Sequence, residues 1–164
     1  MEMEKELAGL YQNLAQAMDS MIPCDWSHLY YLGEVEKGRL SWNSVFYFIA
    51  TEGNHITRSF DVIDLYGVSK NEHFDLLDEV NKVLIEIYDC FIRNDQEPWE
   101  QLSLSLSSSG SFSIDLFYDV MHEDDGGQPQ REVGWAYETF GLEPTEGYPK
   151  RLFDEYMASK NKKP

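Results

Sequence analysis

Hydrophobic and polar residues alternate on both sides of a short turn in the middle of the chain. Between residues 102 and 107 three leucines alternate with serines, and after Ser108-Ser109-Gly110 the same alternation continues over residues 112–118. A period of two on either side of a glycine-containing turn is typical of an antiparallel hairpin with one apolar and one polar face. The polar face is predicted to carry small and acidic side chains, broken only by Phe117, and so to face water or a partner.

Other segments show the spacing of amphipathic helices. Ser69 and Glu72 match a capping box, which predicts that the longest of these helices begins at about residue 70. Apolar side chains recur at three- and four-residue steps over residues 2–22, 70–93, 131–140 and 150–160.

Two segments rich in aromatic and β-branched residues, 28–36 and 42–51, are predicted to be strands, and residues 55–60 are a candidate third strand. Residues 64–69 are interpreted as a connection. Because the strands within each group are joined by short turns, we expect antiparallel pairing. The predicted fold class is α+β, with an antiparallel sheet of four to five strands covered by helices on one face, in the order α-β-β-(β)-α-β-β-α-α. The long helix is the natural cover for the leucine face of the hairpin.

Length and composition limit the class of protein. The chain has 164 residues and 42% hydrophobic residues, which predicts a single domain spanning 1–164. No apolar run approaches the roughly 20 residues of a membrane helix, and the acidic start lacks the apolar segment of a signal peptide. A cytoplasmic location is therefore expected, and in that compartment Cys24 and Cys90 are expected to be free thiols.

Charge is the most informative bulk property. The chain has 13 basic and 30 acidic residues, a net charge of −17, and residues 1–149 alone carry 8 basic and 28 acidic residues. An anionic body of this kind repels nucleic acid and attracts basic proteins. The simpler alternative is that the acidity only keeps the protein soluble.

The sequence offers no catalytic constellation that stands out. It contains neither a phosphate-binding glycine loop nor a Gly-x-Ser-x-Gly elbow, and we assign no catalytic residue, metal or cofactor. Asp115 and Asp119 lie four residues apart on the second hairpin strand, so both are predicted to point to the same face. Such a pair could hold a divalent cation together with His122, and a metal-dependent hydrolase is therefore kept as an alternative.

The acidic run after the hairpin and one tryptophan complete the set of candidates. His122, Glu123, Asp124 and Asp125 are contiguous, and because contiguous residues rarely converge on one ion, a solvated loop is favoured over a metal site. Trp99 is interpreted either as a cap over the edge of the core or as an anchor at a protein interface.

The motifs resemble those of the YezG-type antitoxin, or immunity, family of Bacillus-like bacteria, over nearly the whole chain. The resemblance rests on structural motifs rather than catalytic ones, and the Gly126-Gly127 pair departs from the pattern. The matching features are residues 94–99, the leucine–serine alternation, residues 110–119, Leu10-Tyr11, Ile22-Pro23 before Trp26, Tyr30, Glu34, residues 131–137 and Gly141.

This resemblance implies a small intracellular protein that binds and blocks the C-terminal effector domain of a polymorphic toxin, often a nuclease. A nuclease presents a basic surface to nucleic acid, which an anionic protein can occupy. A non-enzymatic immunity protein is therefore the preferred hypothesis, a hydrolase and a scaffold module without a toxin partner are the alternatives, and a homo-oligomer stays open. The predicted partner-binding residues are Trp99, Asp115, Asp119, Glu123, Asp124 and Asp125.

Overall fold

A computed structural model describes residues 2–162, which form a mixture of helices and antiparallel strands. The α+β class and the predicted order of elements are confirmed. The elements are α1 (Glu2–Asp19), β1 (Trp26–Val35), β2 (Trp42–Ala50), β3 (Ile56–Arg58), α2 (Val62–Tyr66), α3 (Lys70–Arg93), β4 (Gln101–Ser107), β5 (Phe112–Phe117), α4 (Gln128–Phe140) and α5 (Gly147–Asn161).

The strands form one antiparallel sheet in the order β3-β2-β1-β4-β5. The longest strand, β1, lies at its centre and pairs with both β2 and β4. In the β4–β5 hairpin Leu104 pairs with Ile114 and Ser103 pairs with Asp115, so the predicted apolar and polar faces are confirmed. The polar face is not exposed to solvent along its whole length, because Ser103 is buried.

The apolar face of the sheet packs against α1 and α3 in one core. Leu10 and Leu14 of α1 meet Leu84 of α3 and Leu102 and Leu104 of β4 in the same buried cluster. The hairpin leucines Leu102 and Leu104 thus share one core with the long helix and with α1. The Ser69 hydroxyl accepts a hydrogen bond from the Glu72 amide at 3.3 Å, which is the predicted cap of α3.

Helix α3 comes close to the sheet at Gly33, near the end of β1. A Cβ atom at this position would lie 2.6 Å from Leu84 Cδ1 and 2.6 Å from Tyr31 Oη. The Tyr31 hydroxyl is itself held by the Ser44 hydroxyl at 2.7 Å, and both Tyr31 and Leu84 are fully buried. The absence of a side chain at Gly33 therefore allows α3 to pack closely against the sheet.

Several boundaries differ from the sequence-based expectation. The short helix α2 occupies part of the stretch interpreted as a connection, and α4 and α5 each begin three residues before their predicted starts. The second hairpin strand ends at Phe117 rather than continuing to Asp119. Asp119 has a φ of +54°, which takes the backbone out of the extended region and ends the alternation.

The described chain divides into two compact units, Met1–Tyr118 and Asp119–Pro164, which are treated separately below. The first contains the sheet with α1–α3, and the second contains the acidic loop with α4 and α5. None of the helices in residues 2–162 is both long and apolar enough to cross a membrane. That the two units make one domain stays a prediction.

Candidate partner-binding surface

The first candidate residue, Asp115, lies on β5, the last strand of the sheet. Its side chain is exposed and belongs to the same face as Ser103 and Ser113. Asp119 is also exposed but follows the end of the strand in the second unit. The prediction that Asp115 and Asp119 share one strand face is therefore wrong, because regular strand geometry ends between them.

Exposed aromatic side chains flank Asp115 on the same hairpin. Phe112 keeps 59% of its surface in water and Phe117 keeps 40%. Sequence reasoning placed Phe112 on the covered face and did not single it out. The hairpin pattern did not indicate this exposure, because it does not show that the second strand lies at the edge of the sheet, where a strand has a neighbour on one side only.

Trp99 is part of the core and offers no surface to a partner. Its side chain is fully buried, and its ring makes edge-to-face contacts with Tyr88 and Phe91 of α3, with centroids 5.3 and 6.0 Å apart. The expectation that Trp99 anchors an interface is corrected accordingly, and the alternative of a tryptophan at the core is supported. The described residues provide no hydrogen-bond acceptor for the buried indole N–H. The packing of the ring against the aromatic side chains of α3 offsets the free-energy cost of burying this group.

The side chain of Asp125 stabilises the acidic loop of the second unit through hydrogen bonds to neighbouring residues of the chain. Its carboxylate accepts hydrogen bonds from the amides of His122 and Gly127, at 2.8 and 2.7 Å, and from the Arg131 guanidinium at 2.9 Å. Burial alone would raise the pKa of Asp125, but these two amides and the Arg131 charge outweigh it and hold the pKa below its ordinary value. With only 12% of its side chain exposed, Asp125 supports the loop rather than a partner.

The Gly126-Gly127 pair, which departs from the family pattern, completes this loop. Both residues have a φ of +86°, a left-handed conformation that side chains disfavour. The turn they make brings the Gly127 amide to Asp125 and lets α4 begin at Gln128. The glycines are thus explained by the fold of the loop.

The remaining acidic side chains of the loop point to water. Glu123 and Asp124 are both exposed. In the first unit, α3 presents a second anionic surface on its outer side, defined by the exposed residues Asp75, Asp78, Glu79 and Glu86. Each of the two units therefore presents exposed acidic side chains.

One groove of the first unit lies beside the hairpin turn. It has a volume of about 620 Å³ and includes Asp19, Cys24, Asp25 and Trp26 in its wall. The Trp26 indole donates to Asp19 at 2.8 Å, so one carboxylate is already engaged. Among residues 2–162 no three His, Cys, Asp or Glu side chains are grouped so that they could hold a metal ion.

Comparison with known proteins gives a consistent result over most of the chain. The sequence profile described as immunity protein YezG-like matches residues 7–154. The chain is 28% identical to the immunity protein YezG of Bacillus spizizenii and 29% identical to that of Bacillus subtilis, over 93% and 92% of its length and 93% and 99% of theirs. It is also 25% identical to the type VII secretion system protein EsaG of Staphylococcus aureus, over 90% of each chain. With the profile spanning both compact units, the chain belongs to the YezG-like immunity protein family.

Proposed function

We propose that this protein binds a cognate toxin in the cytoplasm and blocks its C-terminal effector domain, a nuclease, by contact rather than by catalysis. Family membership supports a role in immunity, since relatives that match nearly end to end carry that name. The observation that carries the proposal further is the exposure of Asp115 on β5 and of Asp119, Glu123 and Asp124 in the loop. Exposed carboxylates can contact the basic surface with which a nuclease holds nucleic acid.

These carboxylates are expected to act on the rate of association more than on the lifetime of the complex. Exposed charges attract an oppositely charged partner over about 8–10 Å at physiological salt, but contribute little once the complex has formed. Trp99 and Asp125 are left out of the proposed contact because the first is buried and the second is held by its own loop.

Coexpression with the effector domain encoded beside this gene tests the function. We expect the full chain to restore growth of cells that make the active effector and to copurify with an inactive form of it. If it neither rescues growth nor forms a complex, the proposed function is wrong.

Charge variants then test the proposed surface. We expect Asp115→Asn, and separately the triple variant Asp119→Asn/Glu123→Gln/Asp124→Asn, to slow association with the inactive effector several-fold at low salt. The matched control is Glu79→Gln/Glu86→Gln on the outer side of α3, which removes the same kind of charge elsewhere. If the control slows association and the other variants do not, the contact lies on α3. If all variants slow it in proportion to the number of charges that they remove, only the overall charge matters.

A further inference from the structure

The two outer strands of the sheet differ in how they are protected from pairing with another chain. β3 has only three residues, and one of them is Arg58. β5 has six residues in unbroken register with β4, and it contains no proline, lysine or arginine. Short length, proline and charged side chains, lysine above all, are the usual means by which proteins keep an outer strand from pairing, and of these β5 has only the single charge of Asp115.

The hydrogen bond at the hairpin turn shows which residues of β5 direct their backbone N–H and C=O groups to the free side of the strand. The Ser107 amide donates to the Ser111 carbonyl at 2.8 Å, and pairs in an antiparallel ladder alternate between bonded and non-bonded. Ser113, Asp115 and Phe117 therefore turn their backbone groups toward β4. The residues that alternate with them turn their N–H and C=O groups away, and in the described part of the chain no strand pairs with that side. These outward residues are Phe112, Ile114 and Leu116.

The side chains along this edge are suited to a partner that alternates between apolar and basic residues. Phe112 is 59% exposed, and Ile114 and Leu116 on the same face are only half-buried. On the opposite face the charged residue of the strand is Asp115. Within the first unit, the stretch 94–118, which includes the hairpin, has four acidic residues and neither lysine nor arginine.

From this edge we propose that β5 pairs with an extended segment of the toxin effector, which adds a sixth strand to the sheet. The inference rests on the proposed function and names the part of the surface that performs it. The added segment places apolar side chains beside Phe112 and Ile114 and a lysine or arginine beside Asp115. A second copy of this chain would bring another Asp115 and another net charge of −17 to the same edge, so a basic partner is favoured over self-association.

Residue-resolved amide hydrogen exchange tests the pairing directly, with the full chain alone and with the inactive effector domain encoded beside its gene. We expect the outward amides of Phe112, Ile114 and Leu116 to exchange fast in the free protein and to slow by at least about tenfold in the complex. The amides of Ser113 and Asp115 already face β4 and should be protected in both states. This alternation is the signature of strand pairing, which side-chain contact alone would not produce.

Two substitutions at one position separate the backbone from the side chain. Phe112→Ala and Phe112→Pro both remove the ring, but only proline also removes the outward N–H, and the first residue of an outer strand tolerates proline. We expect the proline variant to bind the effector about tenfold more weakly than the alanine variant, the effect of about one lost hydrogen bond. Equal thermal stability of the two variants would show that the fold is intact.

The outcomes distinguish this inference from the function on which it rests. If the effector binds while the outward amides remain fast and the two variants bind equally, strand pairing is wrong and the proposed function stands. If those amides are protected without the effector and increasingly so at higher protein concentration, a second copy occupies the edge and the proposed occupant is wrong. If no complex forms, both proposals fail.

Discussion

Replacing Gly33 by alanine tests the packing of α3 on the sheet. The added methyl group would lie 2.6 Å from Leu84 Cδ1 and from Tyr31 Oη, where ordinary contacts are 3.4–4 Å, so both neighbours must retreat by about 1 Å. Neither has room, since both are fully buried and the Tyr31 hydroxyl is tied to Ser44. Overpacking of this kind costs about 1–3 kcal/mol.

Alanine also restricts the unfolded chain, which offsets about 0.4–1 kcal/mol of that cost. Weakening of the Tyr31–Ser44 hydrogen bond adds a loss of about 0.5–1.5 kcal/mol. We therefore expect Gly33→Ala to destabilise the protein by about 1–3 kcal/mol, which lowers Tm by about 3–10 °C in a chain of this size. Thermal and urea unfolding followed by circular dichroism measure both quantities.

Gly9→Ala is the matched control, because Gly9 is exposed in the middle of α1 with nothing within 4 Å of an added Cβ. The same chemical change there should raise stability by about 0.5–1 kcal/mol, since alanine favours the helix. Leu84→Ala should cost less in the Gly33→Ala background than in the natural protein, because it removes one of the clashing atoms. A Gly33→Ala variant that melts at or above the natural protein would refute the close approach of α3 to β1.

Further substitutions separate structural roles from partner contact and reveal a dependence on pH. Asp125→Asn should lower the free energy of unfolding by about 1–3 kcal/mol, because the lost charge serves three hydrogen bonds, whereas Asp124→Asn should leave unfolding by urea unchanged. Burial lowers the pKa of His73, so the unfolded chain gains a proton first as pH falls. The contribution of His73 to stability should therefore be complete above pH 6.5 and decline below it. When Tm is measured from pH 7.5 to 5, His73→Phe should flatten this decline, whereas His28→Gln, at an exposed position, should not. Trp99→Phe should lower Tm but leave affinity for the effector, measured by calorimetry below that Tm, unchanged; a selective loss of affinity would return Trp99 to the interface.

The pattern of residues along the chain was enough to predict most elements of the fold. α3 begins and ends at the predicted residues, and the hairpin leucines and serines lie on opposite faces as their alternation requires. These features follow from local periodicity, since a helix or strand repeats its geometry every few residues. Boundaries without a periodic signal, such as the short α2, were missed for the same reason.

The candidate surface depended more on contacts of individual side chains, for which the sequence has no periodic signal. Asp115, Asp124 and Asp125 are all aspartates in one acidic stretch, yet two are exposed and the third is held by Arg131 and two backbone amides. Trp99 could have been a cap or an anchor on sequence alone, and only the rings of α3 around it decided that it belongs to the core.

By itself, the sequence determined the α+β class, the faces of the hairpin, the anionic character of the protein and its family resemblance. The tertiary structure decided which acidic and aromatic side chains reach water, and that β5 is an outer strand with an unprotected edge. The physical reason is that periodicity and charge are properties of neighbouring residues, whereas exposure depends on which distant segments pack against a side chain.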